Sequence, residues 1–334
     1  MKLPGPRGPI SQHLVVLLPR EPHAISDPPP VESRDPLDDE DLQLSLYILY
    51  ELHYRSFAGV DDRWEWEPSL LALRRRLERT FEGRLEAEAP VRASVDPATV
   101  GEALVALASA DDGPSLSLFL ERHATLEQFE EFVIHRSAYQ LREADPHTFA
   151  IPRLDGPPKA ALVEIQADEY GSGRPERMHS RLFADTMDAL GLDSAYGAYI
   201  DLIPAVTLAP VNLISLFGLH RRWRGALVGQ LALFEMTSAH PNRRYANGLR
   251  RLGFGPEVTE FYDEHVEADS VHENIAAYDM AGGLAAREPA LAADILFGAE
   301  TLLALERRNA AALLDAWTGG RPSLREARAA SLLS

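Results

Sequence analysis

The chain has 334 residues, 46% of them apolar, enough to bury one sizeable core with an accessory helical unit beside it, so a globular enzyme is expected. Its 33 Lys and Arg against 51 Asp and Glu leave a net charge of −18, which argues against phosphate backbones and anionic membranes, so neither nucleic acid nor membrane is an expected partner. With no cysteine, neither a disulfide framework nor a thiolate-held zinc or iron–sulfur centre can be built, and any metal must take nitrogen and oxygen ligands.

Residues 1–36 carry Pro4, Pro6, Pro9, Pro19, Pro22, Pro28, Pro29, Pro30 and Pro36, a density that predicts a mostly irregular, loosely docked arm. The apolar run from Leu14 to Leu18 is too short to span a bilayer and is followed by Pro19 and Arg20, so a cytoplasmic protein is the simplest expectation. From Asp38 the pattern changes. Asp38, Asp39, Glu40 and Asp41 favour a helix N-terminus, and Leu42, Leu44, Leu46, Ile48, Leu49 and Leu52 supply an apolar helix. A second helix runs from Pro68 through Leu70, Leu73, Leu77 and Phe81, and a third after Pro97 through Val100, Leu104 and Leu107 to the turn at Asp111-Asp112-Gly113-Pro114. These pieces group residues 37–114 into an N-terminal helical subdomain. Beyond it the periodicity predicts helices over 115–122, 125–144, 158–169, 175–190, 207–219, 223–238, 242–251, 256–282 and 287–317. The segment from Leu208 to Leu219 reads as a buried core helix with Pro210 in its first turn. Strand-like alternation is almost absent, so the fold class is all-α. Gly171-Ser172-Gly173 lacks the strand, spacing and lysine of a phosphate-binding loop.

Chemistry concentrates in one predicted helix. His265, Asp269 and His272 stand at i, i+4 and i+7, which places two imidazoles and a carboxylate within roughly 60° of one helical face. That ligand set suits iron, manganese, cobalt or zinc; the competing reading is a solvated acidic surface, with Glu264, Glu267 and Glu273 as neighbours. Other polar residues interrupt apolar stripes, where burial without a partner is costly. Glu235 follows Val228, Leu231 and Ala232 on an inward face and needs a cation, either a metal or an arginine such as Arg224. Glu169 continues the stripe of Leu162 and Ile165, whereas Glu164 and Asp168 share another face that reads as solvated or structural. His179 lies with Leu182 and Phe183. Glu143 precedes Asp145-Pro146 in a last helical turn, where a carboxylate opposes the helix dipole and a cation would relieve it. The set amounts to four carboxylates and three imidazoles, which two metal ions could share.

The pattern Glu169-x9-His179, then Glu235, then His265-x3-Asp269-x2-His272 resembles the haem-oxygenase-like di-iron oxidase and oxygenase family, also called iron-containing redox enzymes. The similarity extends through Ala161-Leu162-Val163-Glu164-Ile165-Gln166-Ala167-Asp168-Glu169-Tyr170-Gly171 and covers residues 120 to 317. The resemblance implies a haem-oxygenase-like seven-helix bundle over residues 115–334, with an N-terminal helical extension like the dimerising one on some members. It implies that Glu169, His179, Glu235, His265, Asp269 and His272 ligate two irons. Glu143 matches an additional carboxylate ligand of N-oxygenating members. Haem is not expected.

The implied function is a non-haem di-iron monooxygenase or oxidase. It would take dioxygen as co-substrate and an external electron donor, act on a small amine or amino-acid-like metabolite, and assemble as a homodimer. N-oxygenation is the expected reaction, with desaturation or oxidative carbon–carbon cleavage by the same ligands as alternatives. A metal-independent member of the fold and a non-catalytic iron-binding protein are the competing classes. Four carboxylates against two ferrous ions give a near-neutral reduced site. Tyr139, Phe183, Leu231 and Tyr262, one turn from ligands, are the pocket candidates against a plain core-packing reading. Arg243, Arg244, Arg250 and Arg251 are expected to pair with the chain's own acids and are given no site role.

Overall fold

The computed structural model describes residues 1–26, 28–89, 94–110 and 113–325, and for residues 268–271 the backbone alone. Among the described residues every regular element is helical and there is no strand, as the periodicity predicts.

The N-terminal arm departs from expectation. It contains a helix, α1 (Pro9–Leu17), with Leu14 and Leu18 fully buried. The proline count misleads because position matters more than number. Pro9 occupies the first helical turn, where a missing N–H breaks no bond. The next free donors are met from outside, Ile10 N and Ser11 N donating to the Asp41 carboxylate at 2.8 and 2.7 Å. Asp41 belongs to α2 (Glu40–Glu51), itself capped by Asp39, which accepts from Asp41 N at 3.0 Å and Leu42 N at 2.9 Å. Every residue of α2 from Leu42 to Glu51 is buried, so this helix lies within the bundle's core rather than on its surface. The remaining N-terminal helices are α3 (Pro68–Glu88) and α4 (Val100–Ser109); Asp111 and Asp112 of the predicted turn lie outside the described residues.

After α5 (Leu116–Arg122), seven helices of eleven residues or more, interspersed with shorter ones, build the body of the molecule. The first is α6 (Leu126–Gln140), opened by a Thr125–Gln128 capping box and followed by the short α7 (Asp145–Thr148). Then come α8 (Gly156–Glu169), α9 (His179–Ala189), α10 (Ala205–Leu219), α11 (Arg224–Arg251) and α12 (Pro256–Asn274). A π-helix (Ile275–Gly282), the short α13 (Gly283–Arg287) and α14 (Ala292–Thr318) complete the chain.

Several boundaries differ from the sequence reading. Helix α10 begins at Ala205, so Pro210 sits in its second turn rather than its first. Helix α11 is continuous through Pro241, where a break between 238 and 242 is predicted. An interior proline costs about 3 kcal/mol, but the downstream half is held to α5: Arg251 donates to the carbonyls of Leu120 at 3.2 Å, Glu121 at 2.7 Å and Ala124 at 2.7 Å. The predicted helix 256–282 changes to i→i+5 bonding at Ile275, just past His272, and such π segments concentrate at functional sites. Helices α11 and α14 meet backbone to backbone through two glycines. A Cβ on Gly229 would stand 1.8 Å from the Ile295 carbonyl oxygen, and one on Gly298 would stand 1.9 Å from that of Ala226. This contact fixes α11 against the core two turns before Glu235.

Candidate metal centre

Four segments converge inside the bundle. Glu169 is the last residue of α8 and His179 the first of α9. The nine residues between them are folded tightly, with Gly171, Ser172 and Gly173 all at positive φ (64°, 51° and 80°). His179 Nδ1 thereby comes 3.1 Å from Glu169 Oε2. Helix α12 brings in His265, whose ring centroid lies 4.3 Å from that of His179 and whose Nε2 is 3.7 Å from Glu143 Oε2. Glu143, His179 and His265 each offer one donor atom, and the three atoms lie within 4.8 Å of one another. Two turns further along α12, His272 Nδ1 lies 3.3 Å from Glu235 Oε2 of α11. Asp269 lies on the same helix between the two histidines, but its side chain is outside the described residues.

Glu143 is not where the sequence reading puts it. Helix α6 ends at Gln140, and Glu143 stands in the following turn, so the helix-dipole argument for it fails. The turn is closed by Ala144 at φ 71°, a left-handed conformation that costs a non-glycine residue on the order of 1 kcal/mol. The Ala144 carbonyl accepts from Gln166 Nε2 of α8 at 3.3 Å, which ties the turn to the helix that carries Glu169. On its other side Arg142, 1% exposed, faces the fully buried Glu51 of α2 at 3.3 Å and lies over the Tyr54 ring at 4.4 Å. The turn that aims Glu143 is thus pinned from two directions.

The chemistry of this donor set fits a metal. Glu169, His179, Glu235, His265 and His272 are all at most 9% exposed. Glu143 Oε2, Glu169 Oε2, His179 Nδ1 and His272 Nδ1 make no hydrogen bond of acceptable geometry despite their close approaches. Buried acceptors gathered without donors are unfavourable unless a cation sits among them. Ligands about 2.1 Å from one ion stand roughly 3 to 4 Å from each other, and the approaches of Glu169 to His179, Glu235 to His272 and Glu143 to His265, at 3.1, 3.3 and 3.7 Å, lie in that range. Two of the three imidazoles have the second nitrogen occupied, as metal-binding imidazoles require. His265 Nδ1–H donates to the Phe261 carbonyl at 2.8 Å, leaving Nε2 toward Glu143. His272 Nε2 meets Asp168 Oδ2 at 3.0 Å, leaving Nδ1 toward Glu235. Electrostatics follow the same pairing. Burial alone would lower the His272 pKa, but Glu235 and Asp168 raise it to about 9; burial would raise that of Glu169, but His179 and His265 bring it down to about 2.

Arg224, the arginine named as an alternative partner for Glu235, bonds Glu288 instead. Of the arginine cluster, Arg250 pairs with Asp263 at 2.6 Å, as expected, whereas Arg251 donates to backbone carbonyls rather than to an acid and Arg244 lines a cavity. That cavity, of about 510 Å³, is faced by Glu143, Glu169, Glu235 and His265, and all four pocket candidates, Tyr139, Phe183, Leu231 and Tyr262, line it. Sequence reasoning missed three residues around it. Asp168 is exposed but bonds His272, so its structural reading is right in kind and its partner was not foreseen. His147 of α7 lines the cavity, bonds Gln230 Oε1 through Nε2 at 2.8 Å, and is kept neutral by burial, which lowers its pKa to about 4. Arg136 lines the cavity from α6.

Over 137 residues the chain is 30% identical to a nitrosourea synthase of Streptomyces achromogenes subsp. streptozoticus, a stretch amounting to 41% of this chain and 29% of that protein, so less than a third of the relative's length is matched. Residues 130–307, more than half of the chain and including all seven candidate ligands, match the sequence profile of a family described as iron-containing redox enzymes. The all-helical bundle is the haem-oxygenase-like fold, and the chain belongs to the iron-containing redox enzyme family.

Proposed function

We propose that this chain is a non-haem di-iron, dioxygen-dependent oxidase or oxygenase that acts on a small amine or amino-acid-like metabolite, with nitrogen as the atom oxidised. The observation that carries the reading is the pair of imidazole–carboxylate groupings along α12, His265 with Glu143, Glu169 and His179 at one level and His272 with Glu235 at the next. One ion at each level, with Asp269 between them in sequence, accounts for all seven candidate ligands. Bound iron would supply the reduction of dioxygen and the oxidation of substrate, with electrons from an external donor. The chain's own residues hold the imidazole tautomers through Phe261 and Asp168 and line a cavity of about 510 Å³ beside the ligands. Nitrogen oxidation draws support from the relative's name, since a nitrosourea carries an oxidised nitrogen, and from Glu143, which stands beside His265 as the extra carboxylate of N-oxygenating members would. A homodimer is part of the same proposal.

The test is anaerobic loading with ferrous iron, metal analysis, and dioxygen consumption in the presence of a reductant and a panel of amines and amino acids. Two irons per chain and uptake accelerated by a nitrogen-containing compound are expected. A single tightly bound iron would sink the di-iron reading. Two irons without dioxygen uptake would sink the oxygenase reading and leave an iron-binding protein.

A further inference from the structure

The cavity has a second polar end, around Arg136 of α6. Along α6, Arg136, Tyr139 and Gln140 stand at i, i+3 and i+4 and share the face that lines the cavity, with Glu143 just past the helix end. Arg136 lies over the Phe132 ring at 5.6 Å and donates to Glu306 of α14, Nη1 to Oε1 at 3.2 Å and Nη2 to Oε2 at 3.0 Å. Arg244 of α11 lines the same cavity and bonds the hydroxyls of Ser115 and Ser117, at 3.0 and 3.3 Å, rather than a carboxylate. In a chain of net charge −18, this end therefore presents more guanidinium than carboxylate.

Two polar atoms there lack partners. The Tyr262 hydroxyl, on a side chain 2% exposed, and Gln140 Oε1 make no hydrogen bond among the described residues, and both residues line the cavity. A buried hydroxyl without a partner is unfavourable, a penalty that an incoming polar ligand would remove. Tyr262 packs against Tyr245, with ring centroids 5.7 Å apart, and Tyr245 packs at 4.7 Å against the Phe132 ring that lies under Arg136, so the two groups belong to one aromatic cluster on the cavity wall. Planar guanidinium with an adjacent O–H donor is a geometry suited to a carboxylate.

We propose that this end of the cavity is a carboxylate subsite in which Arg136 exchanges Glu306 for the carboxylate of an amino-acid-like substrate and Tyr262 donates its hydroxyl hydrogen to it. The rest of the substrate then runs along α6 toward the candidate metal ligands. Arg136 stands about one turn before the end of α6, roughly 6 Å at the helical rise, and Glu143 stands in the turn beyond that end, so a long side chain reaches the centre and a short one does not. An amine without a carboxylate meets a positive wall and is selected against. The consequence for turnover rests on the proposed oxygenase reading; the binding does not.

The test is calorimetric titration of the full-length, iron-free protein with L-amino acids of graded side-chain length and with their carboxamides. The long-chain amino acids are expected to bind and the matched carboxamides to bind at least tenfold more weakly. Arg136→Gln should lose that preference, Tyr262→Phe should weaken carboxylate binding several-fold, and Glu306→Gln, which removes the competing carboxylate, should tighten it. If Arg136→Gln does not fold, the opposite signs expected of the other two variants carry the test. Equal binding of acid and carboxamide, no binding by any amino acid, or weakening by Glu306→Gln would overturn the subsite. Two irons per chain without carboxylate binding would overturn the subsite and spare the iron reading; carboxylate binding without iron would do the reverse.

Discussion

Asp168 of α8 reaches across to α12 and places Oδ2 3.0 Å from His272 Nε2, so the imidazole's other nitrogen, Nδ1, is the one left facing Glu235. A carboxylate behind a metal-binding imidazole fixes its tautomer and raises its basicity, and removing such a partner typically lowers metal affinity 10- to 100-fold. The Asp168 side chain is 49% exposed, so the ion pair itself adds little to folding stability. Asp168→Ala is therefore expected to keep its melting temperature within a degree or two while the iron that depends on His272 binds about 10- to 100-fold more weakly. Anaerobic ferrous titration of both proteins measures this, and unchanged affinity for both irons would remove Asp168 from the site.

Gly171 is the hinge that returns the chain from Glu169 to His179. It sits at φ 64°, and a Cβ there would stand 2.6 Å from the Arg177 carbonyl carbon and 2.7 Å from Met178 N, both backbone atoms that cannot turn aside. Gly171→Ala thus combines a disfavoured conformation with a backbone clash, and a loss of about 2 kcal/mol or more is expected. The displaced segment is the one that begins α9, so iron content should fall with stability. Gly173, also at positive φ but with nothing within 4 Å of its Cβ position, is the control. Gly173→Ala should lose only about 1 kcal/mol and keep its iron. Equal losses in both variants, read by chemical denaturation, would show that the clash at Gly171 is relieved elsewhere.

The centre was legible in proportion to how much of it helical period determines. His265, Asp269 and His272 declare a common face by spacing alone, and Glu169 and Glu235 stand out because each interrupts an apolar stripe; four of these five have side chains that the structure describes, and those are buried. Glu143 was selected by residue type but for a reason that does not hold, since no periodicity predicts a turn at 141–144 closed by a left-handed alanine. Asp168 escaped because a helical wheel says which way a residue faces, not which neighbouring helix covers that face. Arg136 and Glu306 are 170 residues apart, and their pairing is a property of how α6 and α14 pack. The arm shows the same limit in reverse: its prolines are local information, while the Asp41 carboxylate that caps α1 comes from another helix.

His147 supplies a pH signature that is independent of iron. Burial lowers its pKa to about 4, against the effect of its bond to Gln230 and the field of Glu169. In the unfolded chain the same imidazole titrates near 6.5. As pH falls through 6.5 the unfolded state takes up a proton that the folded state refuses until about pH 4, so stability declines across that window and levels off below it. A shift of this size corresponds to about 3 kcal/mol for a fully buried group. His135, buried and lowered to about 3, adds a decline of the same sign that reaches further down. In His147→Gln the first contribution is absent, so its unfolding free energy should fall less steeply than that of the wild type between pH 6.5 and 4. Urea denaturation of the two iron-free proteins at pH 7, 6, 5 and 4 measures the difference. Parallel curves would mean that the folded protein leaves the His147 imidazole at its ordinary pKa, and a wild type that gains stability relative to the variant as pH falls from 7 to 6 would mean that the imidazole is held as a cation beside the cavity.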